Sequence, residues 1–207
     1  MRLVVAGTPG AGKSTFVKTA SEIEVVDTDR TATDETASLK KKTTVAFDFG
    51  RLSFGSAMEL RIYGTPGQER FSFMWDFLIQ NAHTYMLLIA AHRPGDLNAA
   101  RKIMAFINQR VQIPMVIGLT HTDLPGALTP DEVMLRLGFI NGKERPPIIT
   151  VNPTDRASAI EAIMTSMALL LSKCDTGNDR STKRAATRSN PQLSSRSTYR
   201  VPMPQYS

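Results

Sequence analysis

An apolar run near the chain start (Leu3, Val4, Val5, Ala6) breaks into Gly7-Thr8-Pro9-Gly10-Ala11-Gly12-Lys13-Ser14, which satisfies the spacing G-x-x-x-x-G-K-[ST]. A helix-like run, Thr15 to Ala20, follows at once. Glycines at this spacing let successive backbone N–H groups turn inward and cradle the α and β phosphates of a nucleotide. Lys13 then reaches the β and γ oxygens, the Ser14 hydroxyl is a ligand for Mg²⁺, and the dipole of the helix adds to the same anion site. Strand, glycine loop and helix in this order constrain the chain to begin as the first βα unit of an α/β fold that binds a nucleoside triphosphate. The lining is expected from Gly7, Thr8, Pro9, Gly10, Ala11, Gly12, Lys13, Ser14 and Thr15.

With 207 residues, 42% of them hydrophobic, the chain has room for one α/β domain and an appendage. The net charge of +6 is unevenly placed. Residues 1–172 carry 18 Lys and Arg against 17 Asp and Glu, whereas 173–207 carry seven against two. That second stretch is rich in Ser, Thr, Asn, Gln and Pro and poor in aliphatics, so it is expected to be a disordered basic tail, with a domain boundary near Lys173. Its basic residues suit a solvated tether; contact with an anionic membrane surface or a nucleic acid are weaker readings. No apolar run approaches the length of a membrane span. The start leaves no room for a secretory leader, and one cysteine, Cys174, suits a reducing compartment. The expected location is cytoplasmic, with peripheral contact at the inner membrane surface as the tail's option.

Hydrophobic patterning gives strands near Arg2–Ala6, Thr43–Phe54, Ala57–Tyr63, His83–Ala91, Ile113–Leu119 and Pro147–Val151. Helices are expected at Lys13–Ala20, after Arg70, at Leu97–Arg110, Pro130–Leu137 and Arg156–Ser172, the last with Ile160, Ile163, Met164, Met167 and Leu171 on one stripe. Glu22–Lys42 reads as a long loop with a short strand near Ile23–Val26, and Phe54-Gly55-Ser56 as a hairpin turn. The alternation predicts a three-layer α/β/α domain with a mostly parallel six-stranded sheet and one antiparallel edge strand.

Three further motifs stand at the carboxyl ends of strands, where doubly wound folds bind ligands. Gly64-Thr65-Pro66-Gly67-Gln68-Glu69-Arg70-Phe71 resembles the D-x-x-G-Q-E switch II of Ras-like small GTPases. Lys42-Thr43-Thr44-Val45-Ala46-Phe47-Asp48-Phe49 resembles the end of switch I in Rab-like members, and Thr120-His121-Thr122-Asp123 stands where such proteins carry N-K-x-D. The resemblance covers residues 1 to about 172 and is nearest to the prokaryotic Ras-like GTPases of the gliding-motility, polarity and conservon types, within the P-loop NTPase superfamily.

It implies that Thr44 joins Ser14 as a Mg²⁺ ligand, that the Gly67 amide meets the γ-phosphate, and that Gln68 orients the attacking water. It implies that Asp123 accepts from the N1–H and exocyclic amine of guanine, that His121 stacks on the base in place of Lys, and that Thr120 replaces the Asn tying this loop to the phosphate loop. Asn152, in Val151-Asn152-Pro153-Thr154-Asp155, stands at the last base-binding loop without matching the family's S-A-K. Gly64 replaces the switch II Asp, and Asp48, on the same strand face as Ala46 and Thr44, offers a carboxylate in its stead.

The expected function is therefore a slow GTP hydrolase, with Gln68 and Lys13 as catalytic residues, acting as a nucleotide-dependent switch. Arg30 or Arg70 could supply a cation to the transferred phosphate. Trp75 and Phe77 are assigned to the core, and Phe71 and Phe73 to a surface for a roadblock-type dimer or another regulator. A binding module with negligible hydrolysis and an ATP-using P-loop protein are the alternatives. A small-molecule kinase fits less well, because residues 1–172 hold no compact Arg cluster of the kind a lid needs.

Overall fold

A computed structural model describes residues 1–24, 26–27, 47–55, 58–66, 72–140 and 145–186. Side chains are described for all of these except 26–27, 72–74 and 174–186. Its strands are β1 (Arg2–Gly7), β2 (Val26–Asp27), β3 (Asp48–Phe54), β4 (Met58–Gly64), β5 (Thr84–Ala90), β6 (Met115–Thr120) and β7 (Ile148–Thr150). Its helices are α1 (Lys13–Ala20), α2 (Ser72–Gln80), α3 (Leu97–Arg110), α4 (Pro130–Leu137) and α5 (Arg156–Ala186). The strand order is β2-β3-β4-β1-β5-β6-β7, parallel throughout except that β3 runs against both its neighbours. Six of these strands match the expected mostly parallel sheet with its one antiparallel strand. The two-residue β2 pairs outside β3 as a seventh.

The central strands read as continuous apolar runs because both faces are covered. On β1, Val4 and Ala6 enter the core cluster beneath α2, α3 and α4, while Leu3 and Val5 enter the cluster beneath α1 and α5. On β5 the same alternation sends Tyr85, Leu87 and Ile89 to one layer and Met86 and Leu88 to the other. Each fully buried side chain of this size contributes roughly 1.5–3 kcal/mol. Helix α4 starts and stops where its local chemistry dictates. Thr129 and Glu132 form a reciprocal capping box, Pro130 opens the first turn, and Gly138 at φ 99° closes the last.

Two expectations about faces and ends are corrected. On α5 the buried stripe is Ala159, Ala162, Ile163 and Met167, with Met164 and Leu171 exposed. Small alanines set the contact face there, and Met164 stands one residue, about 100°, on from the buried Ile163. The helix also continues past the expected end at Ser172 to Ala186, in a stretch that meets no proline until Pro191. By its internal contacts the chain divides into Met1–Lys173 and Cys174–Ser207. Among the described residues no helix is long and apolar enough to cross a membrane.

Candidate nucleotide site

The carboxyl end of β1 is the point where successive connections diverge, α1 leading to one side of the sheet and α2 and α3 to the other. The phosphate loop lies there. Gly10 and Gly12 take φ of 72° and 90°, a conformation only glycine adopts without cost. At Gly7 a Cβ would overlap the carbonyl oxygen of Leu88, so the β1–β5 pairing itself requires a glycine. Gly12 caps α1, and a Cβ on it would stand 2.7 Å from Pro153 Cγ. Any larger residue at position 12 therefore drives the phosphate loop away from the β7–α5 loop.

Lys13 is 7% exposed and folds back over the loop, its Nζ donating to Gly7 O and Thr8 O at 2.8 Å each. Burial pulls its pKa down to about 8, the carboxylate of Asp48 opposes that shift, and the guanidinium of Arg93 adds to it. Ser14 and Thr15 are exposed on the first turn of α1. A cleft of about 710 Å³ joins Gly10, Gly12, Lys13, Ser14 and Thr15 to His121, Asp123 and Asn152.

Gly7, Thr8, Pro9, Ala11 and Thr120 stand behind that lining. The fully buried Thr120 hydroxyl donates to Ala11 O at 3.1 Å, with Ile89 O at 3.3 Å as a second acceptor. It thus ties the β6 loop to the phosphate loop. With that hydrogen committed, Nδ1 of His121, 3.0 Å from Thr120 Oγ1, is the donor in their contact. His121 holds φ at 56°, and its ring lies 4.8 Å from that of His92. Asp123 is exposed and has no hydrogen bond or ion pair among the described residues, so its carboxylate is free for a ligand. Asn152 is partly used by its own loop, since its Oδ1 accepts from Thr154 N at 3.1 Å and Thr154 Oγ1 at 2.8 Å.

At the opposite end of the loop, Asp48 and Gly64 face each other across β3 and β4. A Cβ on Gly64 would stand 3.0 Å from Asp48 Oδ2 and 3.2 Å from Asp48 Cβ. The Asp48 carboxylate therefore fills the space above the glycine. Beside it, Thr65 Oγ1 is buried without a partner among the described residues. A hydroxyl at Ser14, a carboxylate at Asp48 and an orphan hydroxyl at Thr65 are hard oxygen donors, the chemistry that Mg²⁺ selects.

Thr44, Gly67 and Gln68 lie outside the described residues, as do Arg30, Arg70 and Phe71 and the side chain of Phe73. Trp75 is buried, donates from Nε1 to Pro66 O at 3.0 Å, and meets Phe106 edge-on. Phe77, assigned to the core from sequence, is instead 64% exposed. Two residues on from a buried Trp75, it lies about 200° around the helix. His92 and Arg93 belong to no motif and reach the site only through the fold, and Pro153, quoted only as a neighbour of Asn152, packs against Gly12.

A family model described as a conserved hypothetical ATP binding protein matches residues 23–184. The chain belongs to that family. The match begins beyond the phosphate loop, so the loop is an observation independent of the family's match. The mouse ADP-ribosylation factor-like protein 14 is 25% identical over 135 residues, which are 63% of this chain and 64% of that one. The chain thus spans just under two thirds of that relative's length. The Arl6 BBS3 small GTPase from Trypanosoma brucei, solved with the nucleotide analogue GppNp, superposes with a TM-score of 0.61 at 13% identity, covering 82% of this chain and 96% of that one. The chain therefore has the fold of the Ras-like small GTPases.

Proposed function

We propose that this chain is a guanine nucleotide-binding switch that hydrolyses GTP slowly. The observation that carries the reading is one continuous cleft in which Lys13 and Ser14 lie at one end and, at the other, the carboxylate of Asp123, unpaired among the described residues. A triphosphate on the loop amides would bring the base to Asp123, and guanine offers that carboxylate two donors where adenine offers no such pair. Gly7 to Thr15 would hold the phosphates, His121 would cover the base, and Thr120 would fix the distance between the two halves. Asn152 would close the cleft from the β7–α5 loop.

For the chemistry, Lys13 neutralises charge growing on the β and γ oxygens, and Gln68 aligns water with the leaving diphosphate. Ser14 and Thr44 would hold Mg²⁺, with Asp48 reaching it through water in place of the residue absent at Gly64. The ion supplies charge neutralisation on the β and γ oxygens. Thr44 and the Gly67 amide sense the γ-phosphate, so their loops are released after hydrolysis and a regulator, of roadblock type or another activating protein, reads the change. Residues 1–172 form the nucleotide domain and 173–207 a basic tail. The substitutions Gly64, Thr120 and His121 favour the prokaryotic polarity type over the eukaryotic pattern, and the cytoplasmic face of a membrane is where such a tail would act.

One observation favours a second reading, ATP as the ligand: the description of the matching family names ATP. Calorimetry with GTP, GDP and ATP, with and without Mg²⁺, separates them. The proposal expects GTP and GDP to bind, ATP to bind weakly, and Lys13→Ala to abolish the heat. Heat with ATP alone replaces guanine by adenine, and heat with no nucleotide removes the switch altogether. Single-turnover hydrolysis with Gln68→Ala tests the catalytic assignment, because an unchanged rate takes Gln68 out of the mechanism.

A further inference from the structure

Arg93 belongs to none of the motifs, yet its side chain lies on the phosphate loop. It follows β5 at the ligand edge of the sheet and precedes a 3₁₀ turn, Pro94–Asp96. Its Nη2 donates to Pro9 O at 2.5 Å and pairs with Asp96 Oδ2 at 3.1 Å. Thr8 Oγ1 points at the same carboxylate oxygen from 3.4 Å, so residues 8 and 9 of the loop are both clasped. The guanidinium spreads across Gly10, where a Cβ would stand 3.0 Å from Nη2 and 3.3 Å from Nη1. A side chain at position 10 would push Arg93 off the loop.

Those contacts use the hydrogens of Nη2. Nη1 makes no hydrogen bond among the described residues, and Nε is buried with none either. A guanidinium is a five-donor group whose planar fork matches phosphate oxygens, and among the described residues only one of its three nitrogens is engaged. Arg93 also opposes Lys13, since its charge is one of the causes that lower the lysine's affinity for a proton. Two cations set against one another on a loop of inward amides raise the free energy of the empty loop. An anion with charge to share between them reverses the sign of that term.

We infer that Arg93 is a second phosphate-contacting cation of this loop, held by Pro9 O and Asp96 so that Nη1 meets the terminal phosphates of the bound nucleoside triphosphate. The inference rests on the nucleotide reading of the cleft. The contact is made by a chain element outside both switch motifs, so it is present before either switch closes. It also scales with phosphate charge and strengthens binding of the triphosphate more than that of the diphosphate.

The test is calorimetry on the full chain with GppNp, GDP and inorganic triphosphate at two ionic strengths, for wild type, Arg93→Gln and Arg93→Lys. Glutamine keeps a donor for Pro9 O but no charge; lysine keeps the charge but not the fork. Losing a charge-assisted contact is expected to weaken GppNp and inorganic triphosphate by about tenfold or more, and GDP by clearly less, with a shallower salt dependence. Arg93→Lys is expected to recover part of the triphosphate affinity. Equal loss for GppNp and GDP with an unchanged salt slope would show that Arg93 only braces Pro9, and would overturn the inference alone. Failure of the wild type to bind any of the three would overturn it together with the nucleotide reading.

Discussion

Asp48 lies directly across the β3–β4 ladder from Gly64, and its Oδ2 is 3.0 Å from the position a Cβ on that glycine would take. Carboxylate and missing side chain are thus alternatives for one volume. Restoring an acid with Gly64→Asp should place two carboxylates in contact and destabilise the fold by about 1–3 kcal/mol through overpacking, with charge repulsion added. Asp48→Ala should relieve the clash, so the double variant should be more stable than Gly64→Asp alone. Denaturant unfolding of the four proteins in the cycle measures the coupling. Additive effects would mean that the two positions do not share space. In the same set, Asp48→Ala alone should raise the Mg²⁺ concentration needed for tight GTP binding.

This relationship marks where sequence reading stops. The phosphate loop is legible because its chemistry is local: eight consecutive residues carry glycine conformation, lysine and hydroxyl together. The bounds of helices α1, α3 and α4 match the expected ones because apolar periodicity is also local, and α4 adds a capping box. The Asp48–Gly64 contact depends on hairpin register, which shared-face periodicity only suggests. The Arg93–Pro9 bond joins residues 84 apart in the chain, and the Gly12–Pro153 approach joins loops from opposite ends of the domain. No spacing encodes those contacts. Phe77 stands about 200° round the helix from Trp75, and the α5 stripe followed the 3.6-residue period but was drawn through the large residues, leaving out Ala159 and Ala162 of the buried face.

Lys13 gives a prediction with a sign. Its pKa in the folded, ligand-free protein is about 8 against 10.5 for a free lysine, so the folded state surrenders the proton first. Stability is therefore lost as pH falls from about 10.5 toward 8 and is constant below that window. Relative to Lys13→Met, the ligand-free wild type should gain stability with rising pH across that window. The gain is about 3 kcal/mol from 1.36 kcal/mol per unit. On the proposed reading the phosphates favour the protonated amine, so the affinity of the wild type for GTP should fall as pH rises above about 8. Chemical denaturation of both proteins and calorimetry of the wild type at about pH 7, 8, 9 and 10 check the two slopes, and parallel stability slopes in the two proteins would exclude the assignment.

Thr120→Val keeps the shape of the β6 terminus and deletes one hydroxyl. Ala11 O loses its 3.1 Å donor and His121 Nδ1 its 3.0 Å partner, both within or beside a buried contact. The expected cost is about 1–3 kcal/mol of stability for the groups left unsatisfied. Because the bond ties the β6 loop to the glycine loop across the proposed nucleotide cleft, release of labelled nucleotide should also quicken. A stability loss without faster release would mean that the tether serves the core and not the site.

On the proposed reading, Asp123 decides the base. A carboxylate has only acceptors, which suits the N1–H and exocyclic amine of guanine, whereas an asparagine presents one acceptor and one donor. Xanthine keeps the N1–H and replaces the amine with a carbonyl, so it complements asparagine and confronts a carboxylate with a second acceptor. Asp123→Asn should therefore lose GTP by about 10²-fold or more and gain xanthosine triphosphate, the size expected when a buried polar pairing is inverted. Thermal stability should change little, since Asp123 is exposed and unpaired among the described residues. Competition of labelled GTP by each nucleotide reads the exchange. If adenine is the natural base, the same substitution leaves affinity for all three purines where it was, and Asp123 is then a solvated residue at the rim of an ATP site.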